Sequence, residues 1–173
     1  MKYFYDTEFL EDGKTIELIS IAIVAEDGRE YYAVNADMPV DRIKNHPWLM
    51  KNVWPSLPTR GVRGPGHLDD KSTTIRPYRL IANEVREFLT ATPHTELWAW
   101  YGAYDHVALA QLFGPMVELP SGIPMYTNDV RSLVDWEGTN ELPKQADGVH
   151  NALADARHVK VMHEFIVEQV AGK

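Results

Sequence analysis

The chain has 173 residues, 45% of them hydrophobic, and a formal net charge of −8. That size predicts one domain, 1–173, with a full core, and the acidity argues against a long basic footprint that would coat nucleic acid. The lack of cysteine excludes disulfides and thiolate metal sites. With no membrane-length apolar run, and charge too early in Met1-Lys2-Tyr3-Phe4-Tyr5-Asp6 for a secretory leader, a cytoplasmic protein with no membrane partner is expected.

In chain order, 2–9 is aromatic-rich and reads as a strand, and 15–25 is β-branched and largely apolar, as a central strand should be. Glu26-Asp27-Gly28-Arg29 supplies a hairpin turn into a third strand over 29–36. Residues 39–53 suggest one or two short helices interrupted at Pro47, and 55–74, rich in Gly, Pro and charge, reads as loop. A helix follows over 76–90, with Leu80, Ile81, Val85, Phe88 and Leu89 as its apolar stripe. Residues 96–101 form a short strand, and 104–113 a helix stopped by Gly114-Pro115. After a Pro-rich connector, 125–127 reads as a short strand and 129–136 as a helix capped by Asn128 or Asp129. A polar loop covers 137–148, and a long helix spans about 151–170, with Leu153, Val159, Met162, Phe165, Ile166 and Val170 inward. The order βββ-α-β-α-β-α predicts an α/β fold. Its mixed five-stranded sheet would have three antiparallel strands, then parallel ones, with helices on both faces.

Three stations carry the chemistry. Asp6 and Glu8, two apart on a strand, project from one face. Two carboxylates on one face of an apolar sheet repel each other, and a divalent cation relieves this. Hard oxygen donors suit Mg²⁺ or Mn²⁺ better than Zn²⁺. Taken alone, Asp-x-Glu is common, weak evidence and more often a solvated edge. Asp105 stands at the start of a helix, where the helix dipole alone would favour it. Asp155 lies in the first two turns of the last helix, and Ala152, three before it, is small enough to leave room for a ligand. His150 is five positions before Asp155, which is about 140° away around an ideal helix, so the two share a site only if His150 sits in the preceding loop. A loop-borne imidazole suits a general base near neutral pH, whereas a lone histidine is otherwise most often a surface residue.

Asp6-Thr7-Glu8, Asp105 and His150-x-Ala-x-x-Asp155 together resemble the DEDDh 3′-5′ exonucleases, in the DnaQ-like branch of the ribonuclease-H-like fold. Within that group the chain is most similar to the polyadenylate-specific 3′-exoribonucleases of the RNase AS type. The similarity lies in Tyr-Phe-Tyr-Asp-Thr-Glu-Phe at 3–9, Thr-Ile-Glu-Leu-Ile-Ser-Ile at 15–21, 25–34, and Glu-Leu-Trp-Ala-Trp through Gly-Ala-Tyr-Asp-His-Val-Ala-Leu at 96–109. About 45–80 and 120–148 look divergent. The resemblance implies that Asp6, Glu8, Asp105 and Asp155 bind two Mg²⁺ or Mn²⁺ ions. Two such ions about 4 Å apart would clamp the attacking and leaving oxygens of a phosphodiester. His150 would take the proton of the attacking water. The implied substrate is the 3′ end of single-stranded RNA, poly(A) by preference, and the product a nucleoside 5′-monophosphate, AMP, released by a homodimer. The ring of Phe9 would stack on the terminal base, where core packing is the equal alternative, and backbone groups of Phe9 and Leu10 would contact the ribose.

The rival readings are an exonuclease of the same fold acting on single-stranded DNA or short oligonucleotides, and a non-catalytic RNA-binding module. A phosphatase using Asp6 as nucleophile is disfavoured, since it needs a second Asp where Glu8 stands. Between 60 and 79, Arg60, Arg63, Lys71, Arg76 and Arg79 face only Asp69 and Asp70, which fits a solvated loop or a phosphate-contacting arm. The glycine-spaced run 61–66 lacks the Lys-Ser/Thr of a phosphate loop, and His158 and His163 lack zincin spacing.

Overall fold

The computed structural model describes residues 1–61, 66–139 and 141–172. The first three strands, β1 (Lys2–Glu11), β2 (Ile16–Ala25) and β3 (Glu30–Asn35), form an antiparallel meander. The turn from β2 to β3 closes where Ala25 accepts from Gly28 and donates to Arg29, with Gly28 at φ +90°. Two short helices follow, α1 (Val40–Lys44) and α2 (Pro47–Asn52), with a 3₁₀ turn at Trp54–Ser56. Pro47 does not interrupt a helix but opens one, where its missing N–H has no intrahelical role.

The stretch expected as loop holds more structure than its composition shows. A small hairpin of β4 (Thr59–Arg60) and β5 (His67–Leu68) leads to β6 (Ile75–Arg76), which joins the main sheet alongside β3. Then come α3 (Tyr78–Thr90), β7 (Glu96–Ala99), α4 (Ala103–Gln111), β8 (Asn128–Asp129), α5 (Val130–Glu137) and α6 (Ala152–Ala171). The sheet order is β6-β3-β2-β1-β7-β8, so six strands replace the expected five. The added strand is β6. Strand β8 lies at 128–129 rather than 125–127, with Trp98 and Ala99 of β7 as its parallel partners. Of the glycine-spaced run 61–66 and the basic stretch, residues 62–65, Arg63 among them, lie outside the described residues, as does Asn140 of the 137–148 loop.

Residue alternation sets the layers. Tyr3 and Tyr5 of β1, with Ile21 and Ile23 of β2, pack on Ile81, Val85 and Leu89 of α3 and on Leu109 of α4. On the opposite face Phe4 packs with Val130 and Val134 of α5 and Val159, Met162 and Ile166 of α6. Ala22 and Val24 meet Ala152 and Ala156, so small side chains bring α6 close to the sheet. Ala152 therefore serves the core rather than leaving room for a ligand. Val170, expected inward, is exposed, while Ala156 and His163 are buried; Leu80, expected on the stripe of α3, is exposed as well. A further cluster joins Leu10, Ile19 and Val34 to Ile43, Leu49, Val53, Trp54 and Leu57 of the α1–α2 region.

From Phe4 onward the even-numbered residues of β1 thus read Phe4, Asp6, Glu8, Leu10. The two apolar ones are covered by α5–α6 and by the α1–α2 region. The two acids fall between these covers, where a cleft opens.

Candidate active site

The cleft has a volume of about 480 Å³, and Asp6, Glu8, Asp105, Asp155, His150 and Phe9 all line it. The stations far apart in sequence therefore meet. Leu10 does not line it: its side chain is buried in the α1–α2 cluster.

Local structure explains each placement. Strand β1 pairs with β7 only at Lys2, Tyr3 and Phe4. Beyond that, Thr7 donates its backbone N–H to Asp105 Oδ1 at 2.8 Å and its hydroxyl to the same oxygen at 2.6 Å. Asp105 comes from the first turn of α4 and is buried, at 6% exposure. The turn before α4 is held in turn by Asp129, which accepts from Tyr101 N (3.2 Å) and Gly102 N (3.1 Å), and from Arg131 N (2.8 Å) as the cap of α5. Gly102 has no room for a side chain, because a Cβ there would stand 2.8 Å from Ala99 Cβ and 2.9 Å from Thr127 Cγ2.

On the other side, Asn151 caps α6 by accepting from Ala154 N at 3.1 Å. His150 therefore precedes the helix, at φ +65° in the left-handed region. Its N–H donates to Asp155 Oδ2 at 2.9 Å, and Gln145 Nε2 donates to Asp155 Oδ1 at 2.6 Å. Ligand atoms of Glu8, His150 and Asp155 all lie within 4.8 Å of one another. The His150 ring meets Trp48 edge-on, with centroids 4.8 Å apart. Across the cleft, Phe9 and Tyr104 lie nearly parallel, 7° between planes and 5.8 Å between centroids. Tyr104 is also exposed.

The electrostatics are those of crowded, poorly hydrated acids. Burial raises the Asp6 carboxyl well above its usual range, and Asp105, Glu8 and Asp155 add repulsion. Burial, then Asp155 and Asp105, pushes Glu8 up to about 8. Burial lifts Asp105 to about 6 against the opposing hydrogen bonds from Thr7. Asp155 is raised by burial and pulled back by Gln145 and the His150 amide. None of the four acids forms an ion pair with Lys or Arg among the described residues. Ser20 pairs with Glu8 across the sheet, and its buried hydroxyl has no hydrogen-bond partner among them. A cluster of hard oxygen donors with no Lys or Arg partner among the described residues fits divalent cations.

A domain family described as "3′-5′ exoribonuclease Rv2179c-like" matches residues 1–167. Two curated relatives, "3′-5′ exoribonuclease Rv2179c" of Mycobacterium tuberculosis (strain ATCC 25618 / H37Rv) and "3′-5′ exoribonuclease MT2234.1" of strain CDC 1551 / Oshkosh, are each 47% identical over 159 residues. The match takes in 91% of this chain and 88% of each relative. The chain belongs to the Rv2179c-like 3′-5′ exoribonuclease family. Among solved structures, "Exonuclease I (apo)" superposes with a TM-score of 0.60 at 11% identity, over 97% of this chain but only 42% of that one. That likeness carries the fold alone and agrees with a ribonuclease-H-like sheet flanked by helices.

Sequence reasoning missed the residues that hold the site together: Thr7, Trp48, Ser56, Tyr104, Asp129 and Gln145. Only Asp129 left a local signal, as a candidate helix cap. The others act through partners 10 or more positions away in the chain.

Proposed function

We propose that this member of the exoribonuclease family, acting as a single domain over 1–173, removes nucleotides from the 3′ end of single-stranded RNA as a DEDDh enzyme. Asp6, Glu8, Asp105 and Asp155 hold two Mg²⁺ or Mn²⁺ ions, and His150 is the general base. The observation that carries this reading is the meeting, in one cleft, of a loop-borne histidine and four acids that have no Lys or Arg partner among the described residues. When bound, such ions activate water and stabilise the charge that builds on the phosphoryl oxygens.

The chain's own groups do the rest. Thr7 holds the Asp105 carboxylate, and Gln145 with the His150 amide orients that of Asp155, so all four acids face one volume. His150 accepts the proton of the attacking water. The new bond joins the water oxygen to phosphorus, and the bond to the 3′ oxygen of the preceding nucleotide breaks. A nucleoside 5′-monophosphate leaves, and the freed 3′ oxygen takes a proton from solvent, giving the shortened strand a new 3′-hydroxyl. Phe9, against Tyr104, offers an aromatic surface for the terminal base, and the backbone of Phe9 and Leu10 contacts its ribose. A preference for poly(A), with AMP as product, follows from the resemblance at 3–9, 15–21, 25–34 and 96–109. Assembly as a homodimer likewise follows from the resemblance.

A time course on 5′-labelled poly(A), poly(U) and single-stranded DNA, with and without Mg²⁺, tests the reading. Ladders shortening from the 3′ end of poly(A), only with metal, are expected. His150→Ala should lose roughly 10²–10⁴-fold in turnover while keeping metal affinity. Wild-type turnover in that variant would remove the general base from the mechanism.

A further inference from the structure

His150 keeps a left-handed backbone, φ +65°, that a residue with a side chain holds only when its neighbours enforce it. One restraint comes from α6, through the amide bond to Asp155. The others come from a segment nearly a hundred residues away. Ser56 donates its hydroxyl to the His150 carbonyl at 2.8 Å and to Val53 O at 2.7 Å, so one proton is shared between two carbonyls. The Ser56 carbonyl accepts from Asn151 Nδ2 at 3.5 Å. Trp48 places its ring edge-on to the imidazole at 74°. Ser56 sits on a rigid base, because Leu49, Val53, Trp54 and Leu57 are buried against β1–β3. Trp48 contributes little to that core: it is 49% exposed and lines the cleft.

We propose that Ser56 and Trp48 are positioning residues for His150: the Ser56 hydroxyl fixes its backbone and the Trp48 ring its imidazole, so that the 47–56 segment sets where the proton acceptor stands over the carboxylates. The inference rests on the reading of His150 as general base. An imidazole displaced by about 1 Å can cost roughly 10²-fold in rate, so the clamp acts on turnover rather than on substrate or metal binding.

Four full-length variants test it: Ser56→Ala, Ser56→Thr, Trp48→Ala and Trp48→Phe, with His150→Ala as reference. Ser56→Ala and Trp48→Ala should each lower kcat by roughly 10-fold or more, with KM and calorimetric Mn²⁺ affinity within about twofold of wild type. Ser56→Thr, which keeps the hydroxyl, and Trp48→Phe, which keeps an aromatic edge, should recover most of the loss. With ¹⁵N-labelled histidine, the His150 ring signals should shift or broaden in the two alanine variants, while those of His158 and His163 stay in place. Unchanged kcat in both alanine variants overturns the clamp. A Trp48→Ala loss confined to KM overturns it too, because the indole would then be a surface for a base. Trp48→Ala alters a half-exposed side chain, so a Ser56→Ala chain that fails to fold leaves the test intact. If His150→Ala keeps wild-type turnover, the general-base reading falls first. If it is inactive while Ser56→Ala and Trp48→Ala are not, only the clamp falls.

Discussion

Two charged regions of this molecule treat their charges in opposite ways. In the basic stretch, Arg60 is paired with Asp69 and Asp70, and Arg76 with Glu84. Lys71 and Arg79 are exposed to water. In the cleft, Asp6, Glu8, Asp105 and Asp155 are buried or half-buried, have no Lys or Arg partner among the described residues, and carry raised pKa values. Surface ion pairs contribute little to stability and settle wherever geometry allows. Buried like charges cost stability, and a fold retains them where something outside the chain relieves the cost. Of the two, the unrelieved region is the one to which we assign the chemistry, while Arg60 and Arg76 of the basic stretch, in short strands rather than loop, make the ordinary ion pairs of a solvated surface.

The largest expected effect is at Asp155. Replacing it with Asn keeps the shape and the acceptor for the His150 amide but removes a charge from the cluster. Outer-shell partners of metal ligands typically account for 10–100-fold in affinity or activity, so loss of a ligand should exceed about 100-fold in Mn²⁺ affinity by calorimetry. Unchanged affinity would mean that the acids meet for another reason, and the contrast between the two regions would lose its meaning.

Much of this contrast was legible in the sequence, for a physical reason. Strands β1 to β3 announce themselves because apolar, β-branched runs bounded by turn residues have few other stable fates. Asp6 and Glu8 interrupt such a run, a weak signal until joined to Asp105 and Asp155, and helix geometry required His150 to lie outside α6 only on the condition that it shares a site with Asp155. What stayed hidden depends on contacts between distant segments. Strand β6 is only Ile75 and Arg76, held where Val34 N donates to Thr74 O and Ala36 N to Arg76 O, and two residues leave no periodic trace. Ser56 and Trp48 look like any turn serine and any surface tryptophan until they meet His150. Arg60 and Arg76 formed a basic block in one dimension and separate ion pairs in three.

The next effect in size is on stability, and its sign follows from the raised carboxyls. In the metal-free chain Glu8 keeps its proton to about pH 8, whereas the unfolded chain releases it near 4.5. The folded state therefore binds more protons in that window, and stability falls as pH rises through it. Below about pH 6.5 this trend is opposed by His158 and His163, whose pKa values are lowered by burial and which favour unfolding when protonated. The clean window is pH 7 to 9. Thermal melts in EDTA should lose roughly 1–3 kcal/mol across it, and saturating Mg²⁺ should flatten the slope. A metal-free melting temperature that rises from pH 7 to pH 9 would mean that the cluster is not strained.

The smallest effect is expected from the other region. Arg60→Ala removes a guanidinium from partners on its own hairpin, where Asp69 also accepts from Lys71 N at 3.0 Å and so keeps a hydrogen bond after the change. The melting temperature should move by less than about 2 °C. If the stretch is only a solvated surface, KM for poly(A) should stay within about twofold. If it contacts phosphates, losing one cation would weaken binding and reduce the slope of log affinity against log salt by about 0.7 for single-stranded RNA. The salt titration is therefore the sharper measurement. A surface charge already paired with Asp69 and Asp70 has few counterions to release from the nucleic acid, so an unchanged slope is expected, and a flatter one would restore the basic stretch as part of the RNA path.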